Sequence, residues 1–177
     1  MKILISGAGV AGPTLAFWLC EHGFQPTIVE RAPRLRTGGY IIDFWGAGLE
    51  VADRMQLVPE ILRRAYQFKE VRELDRRGNR VSGFAVRALQ AASGGRFTSL
   101  PRSDLSAVIF EALGDRVETI FDDSTTRIED LGGEVRVHLE RTPPRTFDLV
   151  IGADGLHSHV RRLAFGEAAR FERYLGL

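Results

Sequence analysis

Lys2-Ile3-Leu4-Ile5-Ser6-Gly7-Ala8-Gly9-Val10-Ala11-Gly12 decides the fold of this 177-residue chain. An apolar run of strand length passes directly into Gly-x-Gly-x-x-Gly. Helix-like residues from Pro13 to His22 follow, then Gly23. A second apolar strand, Pro26 to Val29, ends in Glu30. Strand, glycine turn, helix and second strand in this order predict a βαβ unit in which the glycines have chemical work to do.

Gly7 permits the tight turn out of the strand. Gly9, without a side chain, lets a pyrophosphate approach the backbone, and Gly12 lets helix and strand pack closely. The helix start, with the backbone of Ala8 and Ala11 beside it, offers N–H groups and a positive dipole end to phosphate. Pro13 has no N–H but falls in the first helical turn, where proline is tolerated. Glu30 is placed to accept hydrogen bonds from both hydroxyls of a ribose, and its charge repels a 2′-phosphate. This first site is therefore expected to hold FAD or NAD rather than NADP.

Composition bounds the remainder. Hydrophobic residues make up 44% of the chain and charged residues 27%, enough for a packed core with an ordinary surface. The net charge of +1 gives no global electrostatic case for nucleic acid or a membrane surface. Cys20 is the single cysteine and cannot form an internal disulfide; a buried packing role is expected for it. No leader precedes the first strand and no apolar stretch is long enough to span a bilayer, so a cytoplasmic location is expected. His157 and His159 lie two apart at a helix start without acid or cysteine partners at ligand spacing, and no metal site is expected there.

Beyond Glu30 an arginine-rich loop runs from Arg31 to Arg36 and leads into Thr37-Gly38-Gly39-Tyr40-Ile41-Ile42-Asp43. Helical spacing marks Gly46 to Met55 and Leu57 to Tyr66. Glu70 to Leu74 and Arg80 to Val86, around Arg76-Arg77-Gly78-Asn79, predict a β-hairpin. Ala88 to Gly95 is expected to be a loop and Phe97 to Leu100 a short strand. Ser103 is expected to cap a helix running to Leu113. Short strands are expected at Val117 to Phe121, Thr125 to Glu129, Glu134 to Leu139 and Arg145 to Ile151. The last enters Gly152-Ala153-Asp154-Gly155 and a helix from Ser158. The fold class is α/β: a Rossmann-like βαβ core with an inserted hairpin and β-meander. An NAD-dependent dehydrogenase would continue through alternating strands and helices, so the insertion favours a flavoprotein layout.

Three motifs resemble the N-terminal half of the class A flavin monooxygenases, the group of p-hydroxybenzoate hydroxylase. They are the Gly7–Gly12 loop with Glu30-Arg31, the segment Leu100-Pro101-Arg102-Ser103-Asp104-Leu105, and Asp148-Leu149-Val150-Ile151-Gly152-Ala153-Asp154-Gly155-Leu156-His157-Ser158-His159-Val160-Arg161. The resemblance implies that Arg102 contacts FAD and that Asp154-Gly155 lies by the FAD pyrophosphate and serves NAD(P)H binding as well. Gly38-Gly39-Tyr40-Ile41-Ile42-Asp43 further resembles tetracycline-inactivating members, which places Arg36 and Asp43 near the cofactors. Residues 1–170 then form an incomplete FAD/NAD(P)-binding domain. Residues 171–177 look like the start of a substrate domain that is otherwise absent.

The implied activity is NAD(P)H-dependent hydroxylation, by an FAD monooxygenase, of an aromatic or polyketide-like small molecule. Since the cofactor carries that chemistry, no catalytic side chain is singled out. A plain nucleotide-binding module holding NAD, a flavin reductase or dehydrogenase without oxygenation, and a fragment without activity are the alternatives. The chain alone is expected to hold FAD weakly or not at all and to show no monooxygenase turnover. It is also expected to pair with a second copy through the apolar surface that an absent domain would leave open.

Overall fold

The computed structural model describes residues 1–176, and it divides into two compact units, residues 1–36 with 109–177 and residues 37–108. Leu177, the last residue of the expected substrate-domain start, lies outside the described residues.

The first unit is built on β1 (Lys2–Ser6), α1 (Ala11–Glu21) and β2 (Gln25–Glu30). The predicted βαβ unit is present, with the helix two residues earlier than its sequence pattern suggested. The first unit continues after residue 108. For order along the chain, the second unit holds β3 (Ile41–Trp45), α2 (Gly46–Arg54), α3 (Val58–Arg64), β4 (Glu70–Leu74), β5 (Arg80–Ala85), α4 (Val86–Ala92) and β6 (Phe97–Pro101). Helix α5 (Arg102–Glu111) carries the chain back to the first unit. There β7 (Glu118–Phe121), β8 (Thr125–Asp130), β9 (Val135–Leu139), β10 (Arg145–Phe147), β11 (Leu149–Gly152) and α6 (His159–Phe165) follow.

Four strands form a parallel sheet in the order β11-β1-β2-β7. Ile3 to Ser6 face Leu149 to Gly152 on one side, and Lys2 to Ser6 face Gln25 to Val29 on the other. Strand alternation sends side chains to opposite faces. Ile3, Ile5 and Ile28 pack with Ala16, Leu113 and Val117 in one buried cluster, flanked by Leu15, Phe17 and Leu19 of α1. Leu4 and Val29 pack with Val137, Leu139 and Phe147 in another. The antiparallel meander β10-β9-β8 thus covers one face and α1 the other. A parallel sheet covered on both faces requires apolar residues at successive positions, which is why Ile3-Leu4-Ile5 and Ile28-Val29 do not alternate with polar ones.

The predicted strand over residues 145–151 is two strands. Asp148 sits between them: its N–H donates to the Lys2 carbonyl at 2.9 Å, and its carboxylate accepts the Lys2 N–H at 2.6 Å. This double link lets the chain leave the meander as β10 and enter the parallel sheet as β11. Asp123 is 2% exposed and fixes the other end of the meander. Its carboxylate accepts the N–H groups of Ser124, Glu140, Arg141 and Thr142 at 2.8–3.0 Å. Burial pushes this carboxyl upward, but the donors from Thr142, Arg141 and Ser124 outweigh it and hold it below the ordinary aspartate range.

In the second unit, β3 and β6 pair antiparallel with Asp43 opposite Ser99, and β4 and β5 form the expected hairpin. Leu49, Ala52, Met55, Ile61, Val86, Leu100, Leu105 and Val108 are among its buried apolar residues. Three expectations differ from the structure. Residues 88–95 are not a loop throughout: Val86–Ala92 is helical, and only Ser93, Gly94 and Gly95 leave the helix, the glycines at positive φ. Alanine, leucine, glutamine and arginine are good helix formers, and the Ser-Gly-Gly is the stop signal of that helix. Ser103 does not cap α5; the helix starts at Arg102, and the Ser103 hydroxyl donates to Asp104. Cys20 is half-buried rather than buried, and loss of hydration raises its thiol pKa. Residues 171–176 are exposed and contain no strand. Among the described residues, no helix is long and apolar enough to cross a membrane.

Two outcomes are expected. A Cβ at Gly12 would lie 1.9 Å from the Gly7 carbonyl oxygen, so Gly12→Ala should destabilise the fold by about 1–3 kcal/mol, measured by urea unfolding. The Asp123 carboxyl takes up its proton less readily folded than unfolded. Its stabilisation is therefore complete above the unfolded value near pH 4 and is lost as pH falls through the lower folded value. Asp123→Asn should lower stability at pH 7 and flatten the decline below about pH 4, read as denaturation midpoints across pH.

Candidate cofactor site

The carboxyl ends of β1, β2 and β11 meet at one edge of the parallel sheet. Three loops interlock there. The Gly7 N–H donates to the Val29 carbonyl at 2.7 Å, and the Ala153 N–H donates to the Ser6 carbonyl at 2.8 Å. Gly7 has a φ of +112°, and a Cβ on it would stand 2.6 Å from the Ala153 carbonyl oxygen. The first glycine therefore serves a contact with the β11 loop as well as the turn. The third glycine, Gly12, brings α1 onto the Gly7 carbonyl, as its place in the motif predicts.

The Glu30 side chain is 12% exposed and closes this arrangement. One carboxylate oxygen accepts the Ala8 N–H at 2.8 Å, the other the Ala32 N–H at 2.9 Å. A carboxylate oxygen has two acceptor positions, so each retains one for a ligand hydroxyl. The acid is thus fixed in one orientation by the glycine loop and by its own following turn. Arg36 lies 3.8 Å from the same carboxylate, with a side chain 69% exposed; a pair this open is weak. Arg31 is exposed beside it. Nothing in the sequence pattern marked Ala32, which takes part only through its backbone N–H.

Helix α1 begins after Val10 with no side-chain cap and no acid in its first turn. The amides of Ala11 and Gly12 have no carbonyl four residues back within the helix. Gly9, half-buried, lies in the loop before them. The edge therefore presents backbone donors next to a carboxylate acceptor, a pairing that suits a phosphate followed by a ribose.

Asp154 sits in the β11–α6 loop, and its carboxylate is turned into α6. It accepts the Ser158 hydroxyl and the N–H groups of His159 at 2.7 Å and Val160 at 3.0 Å. Ser158 is the N-cap and accepts the Arg161 N–H. A carboxylate at this place can accept from a ribose hydroxyl or from backbone amides, and the structure shows the amides engaged. Gly155, at a φ of +85° with open space around its Cα, is the exposed member of the pair. The His159 ring Nδ1 lies 2.6 Å from the Arg162 guanidinium, and His157 is exposed.

Gly7, Ala8, Gly9, Ala11, Gly12, Glu30, Asp154 and Gly155 thus share one edge of the first unit. Arg102 and Asp43 belong to the second unit. Arg102 is exposed at the start of α5, and its N–H donates to the Tyr40 carbonyl. Asp43 accepts the Ser99 hydroxyl at 2.6 Å.

A family model described as an FAD binding domain matches residues 1–173. The chain is 42% identical to an uncharacterised protein of Mycobacterium tuberculosis, over 98% of this chain and 47% of that protein. It is 36% identical to an FAD-dependent monooxygenase of Sarocladium schorii, over 94% of this chain and 39% of the relative. The crystal structure of tetracycline destructase Tet(51) shares the fold at a TM-score of 0.78 and 34% identity, over 93% of this chain and 41% of that one. CtdE in complex with FAD superposes at a TM-score of 0.81, over 95% of this chain and 42% of that one; at 17% identity the likeness is one of fold. The chain spans less than half the length of these relatives. A nucleotide-shaped sheet edge and a family match along nearly the whole chain agree: it belongs to the FAD-binding domain family of the flavin-dependent monooxygenases.

Proposed function

We propose that this chain supplies the FAD-holding part of an NAD(P)H-dependent monooxygenase that hydroxylates an aromatic or polyketide-like small molecule. The observation that carries this reading is Glu30, held by Ala8 and Ala32 at the end of β2 beside an uncapped helix start. The residues present fit the adenosine and pyrophosphate portions of FAD. Ala11 and Gly12 turn backbone N–H groups toward the phosphates, where the helix dipole also favours negative charge. Glu30 takes the ribose hydroxyls on its two remaining acceptor positions and disfavours a 2′-phosphate.

Asp154 acts on this site through α6 and the loop that abuts Gly7, so it is a positioning residue. Arg102 provides a permanent positive charge, and Arg36 and Asp43 follow from the resemblance as residues near the cofactors. Bound flavin supplies the redox chemistry, taking electrons from the reduced nicotinamide and passing them to oxygen. The protein's own share is orientation and exclusion of water.

FAD titration of the chain, followed by flavin fluorescence, tests the reading. Saturable binding is expected, and Glu30→Ala should weaken it by about 1.5–3 kcal/mol for each ribose hydrogen bond lost. Equal affinity of the variant and the parent would remove Glu30 from the site. Asp154→Ala should weaken binding together with a fall in thermal stability. A loss of affinity at unchanged stability would show direct contact instead.

A further inference from the structure

Asp154-Gly155 is the one Asp-Gly pair in the sequence. Aspartate before glycine is the pair in which a side-chain carboxyl most readily closes on the main chain, because no side chain shields the next nitrogen. The two reacting groups are in opposite states here. The Asp154 carboxylate is held on α6 by the Ser158 hydroxyl and by the N–H groups of His159 at 2.7 Å and Val160 at 3.0 Å. Among the described residues, the Gly155 N–H has no hydrogen-bond partner. Gly155 is exposed at a φ of +85°, with nothing within 4 Å of a Cβ placed on it.

The restraint on the carboxylate is only as strong as α6, and α6 is short. It has 7 residues, of which Val160 alone is buried. A helix of this length is marginal without packing, so its first turn belongs to the easily opened end of a structure. Reaction there has a large consequence because of where Asp154 lies. A Cβ on Gly7 would stand 2.8 Å from the Ala153 carbonyl carbon and 3.0 Å from the Asp154 Cα. The backbone at Asp154 is packed on the glycine loop, with no room for a further methylene.

We propose that Asp154-Gly155 is a self-modification site, at which opening of the α6 cap converts Asp154 to isoaspartate and disarms the sheet edge. The Gly155 nitrogen attacks the Asp154 Cγ. A C–N bond forms and the Cγ–O bond of the protonated carboxyl breaks. The oxygen leaves as water, with the carboxyl proton and the proton from the Gly155 nitrogen, and no electron is transferred. Water then opens the succinimide ring. Attack at Cγ restores aspartate. Attack at the Asp154 main-chain carbonyl leaves the chain running through Cβ and Cγ, one methylene longer, and that methylene falls against Gly7. Reaction from the opened loop makes the rate proportional to the open population, so Ser158 governs it without taking part in the chemistry. The modification rests on this loop alone; its effect on FAD rests on the flavin reading.

Peptide mapping of the full chain after prolonged incubation tests this. Trypsin releases Thr146–Arg161, whose aspartyl and isoaspartyl forms separate chromatographically and in which Asp148-Leu149 is an internal control. In urea the parent should convert at Asp154 and not at Asp148, and Gly155→Ala should convert at least about threefold more slowly. The folded parent should convert at least about tenfold more slowly than the unfolded parent. Folded Ser158→Ala should convert about twofold to thirtyfold faster than the folded parent, the range that a lost N-cap spans. If Ser158→Ala does not fold, the parent's rate across sub-denaturing urea decides. A rise before the global transition supports local opening, and a rise only within it overturns the proposal. No isoaspartate at Asp154 in the unfolded parent, equal rates in folded and unfolded parent, or equal rates in folded Ser158→Ala and parent also overturns it. The converted chain, separated from the parent, should bind FAD at least about tenfold more weakly, and equal affinity overturns the disarming of the edge. A parent that converts but binds no FAD refutes the flavin reading and supports the modification.

Discussion

The first unit depends on a close approach that only glycine allows. The Gly7 carbonyl lies where a side chain on Gly12 would be, and Gly7 itself lies against the Ala153 carbonyl. Strand β1, helix α1 and the β11 loop therefore meet at van der Waals distance around two residues without side chains. From that meeting follow the short path from Ser6 to α1, the exposure of the helix's first amides, and the position of Ala8 against Glu30. A methyl group at either glycine would push apart the elements that make the sheet edge concave.

Glu30 shows how such an edge is prepared in advance. Its two internal hydrogen bonds fix the carboxylate in one orientation, so the side chain keeps little rotamer freedom. The bonds are made with backbone donors rather than with arginine, which leaves the carboxylate's charge available to discriminate against phosphate. Arg36 is near enough to be attracted but too exposed to neutralise the acid. Asp154 uses the same economy in the opposite direction: its acceptor capacity goes largely into α6, and the ligand side is left to Gly155.

The elements that were legible in the sequence are those with one dominant signal. The βαβ unit carries an apolar strand, a glycine turn and a terminal acid together. The hairpin has its Arg76-Arg77-Gly78-Asn79 turn, and the meander has Gly132-Gly133. Strand β3 was not legible: both of its faces are apolar apart from Asp43, every second residue is exposed, and its identity comes from pairing with β6 far along the chain. Helix α4 was hidden because Ala91-Ala92-Ser93-Gly94-Gly95 reads as one small-residue stretch although the alanines and the glycines act in opposite senses. The break at Asp148 arises from hydrogen bonds to Lys2, nearly the whole chain away. At the site, motif residues were legible, and so was Ser158 as the start of α6, but Ala32 and Ala153 act through a backbone amide and a backbone carbonyl that have no side-chain signature.

The two units differ in kind. The first has an apolar sheet sealed on both faces, and its site is made of backbone groups whose positions follow from glycine packing. Substitutions there are felt at once, because backbone and core move together. The second unit has smaller sheets, two pairs of antiparallel strands rather than one sheet packed on both faces. Its Asp43–Ser99 pair is made by side chains facing each other across a two-stranded sheet. In the first unit the positions of Gly7, Gly12 and Glu30 follow from backbone contacts, and in the second Asp43 and Ser99 meet through their side chains.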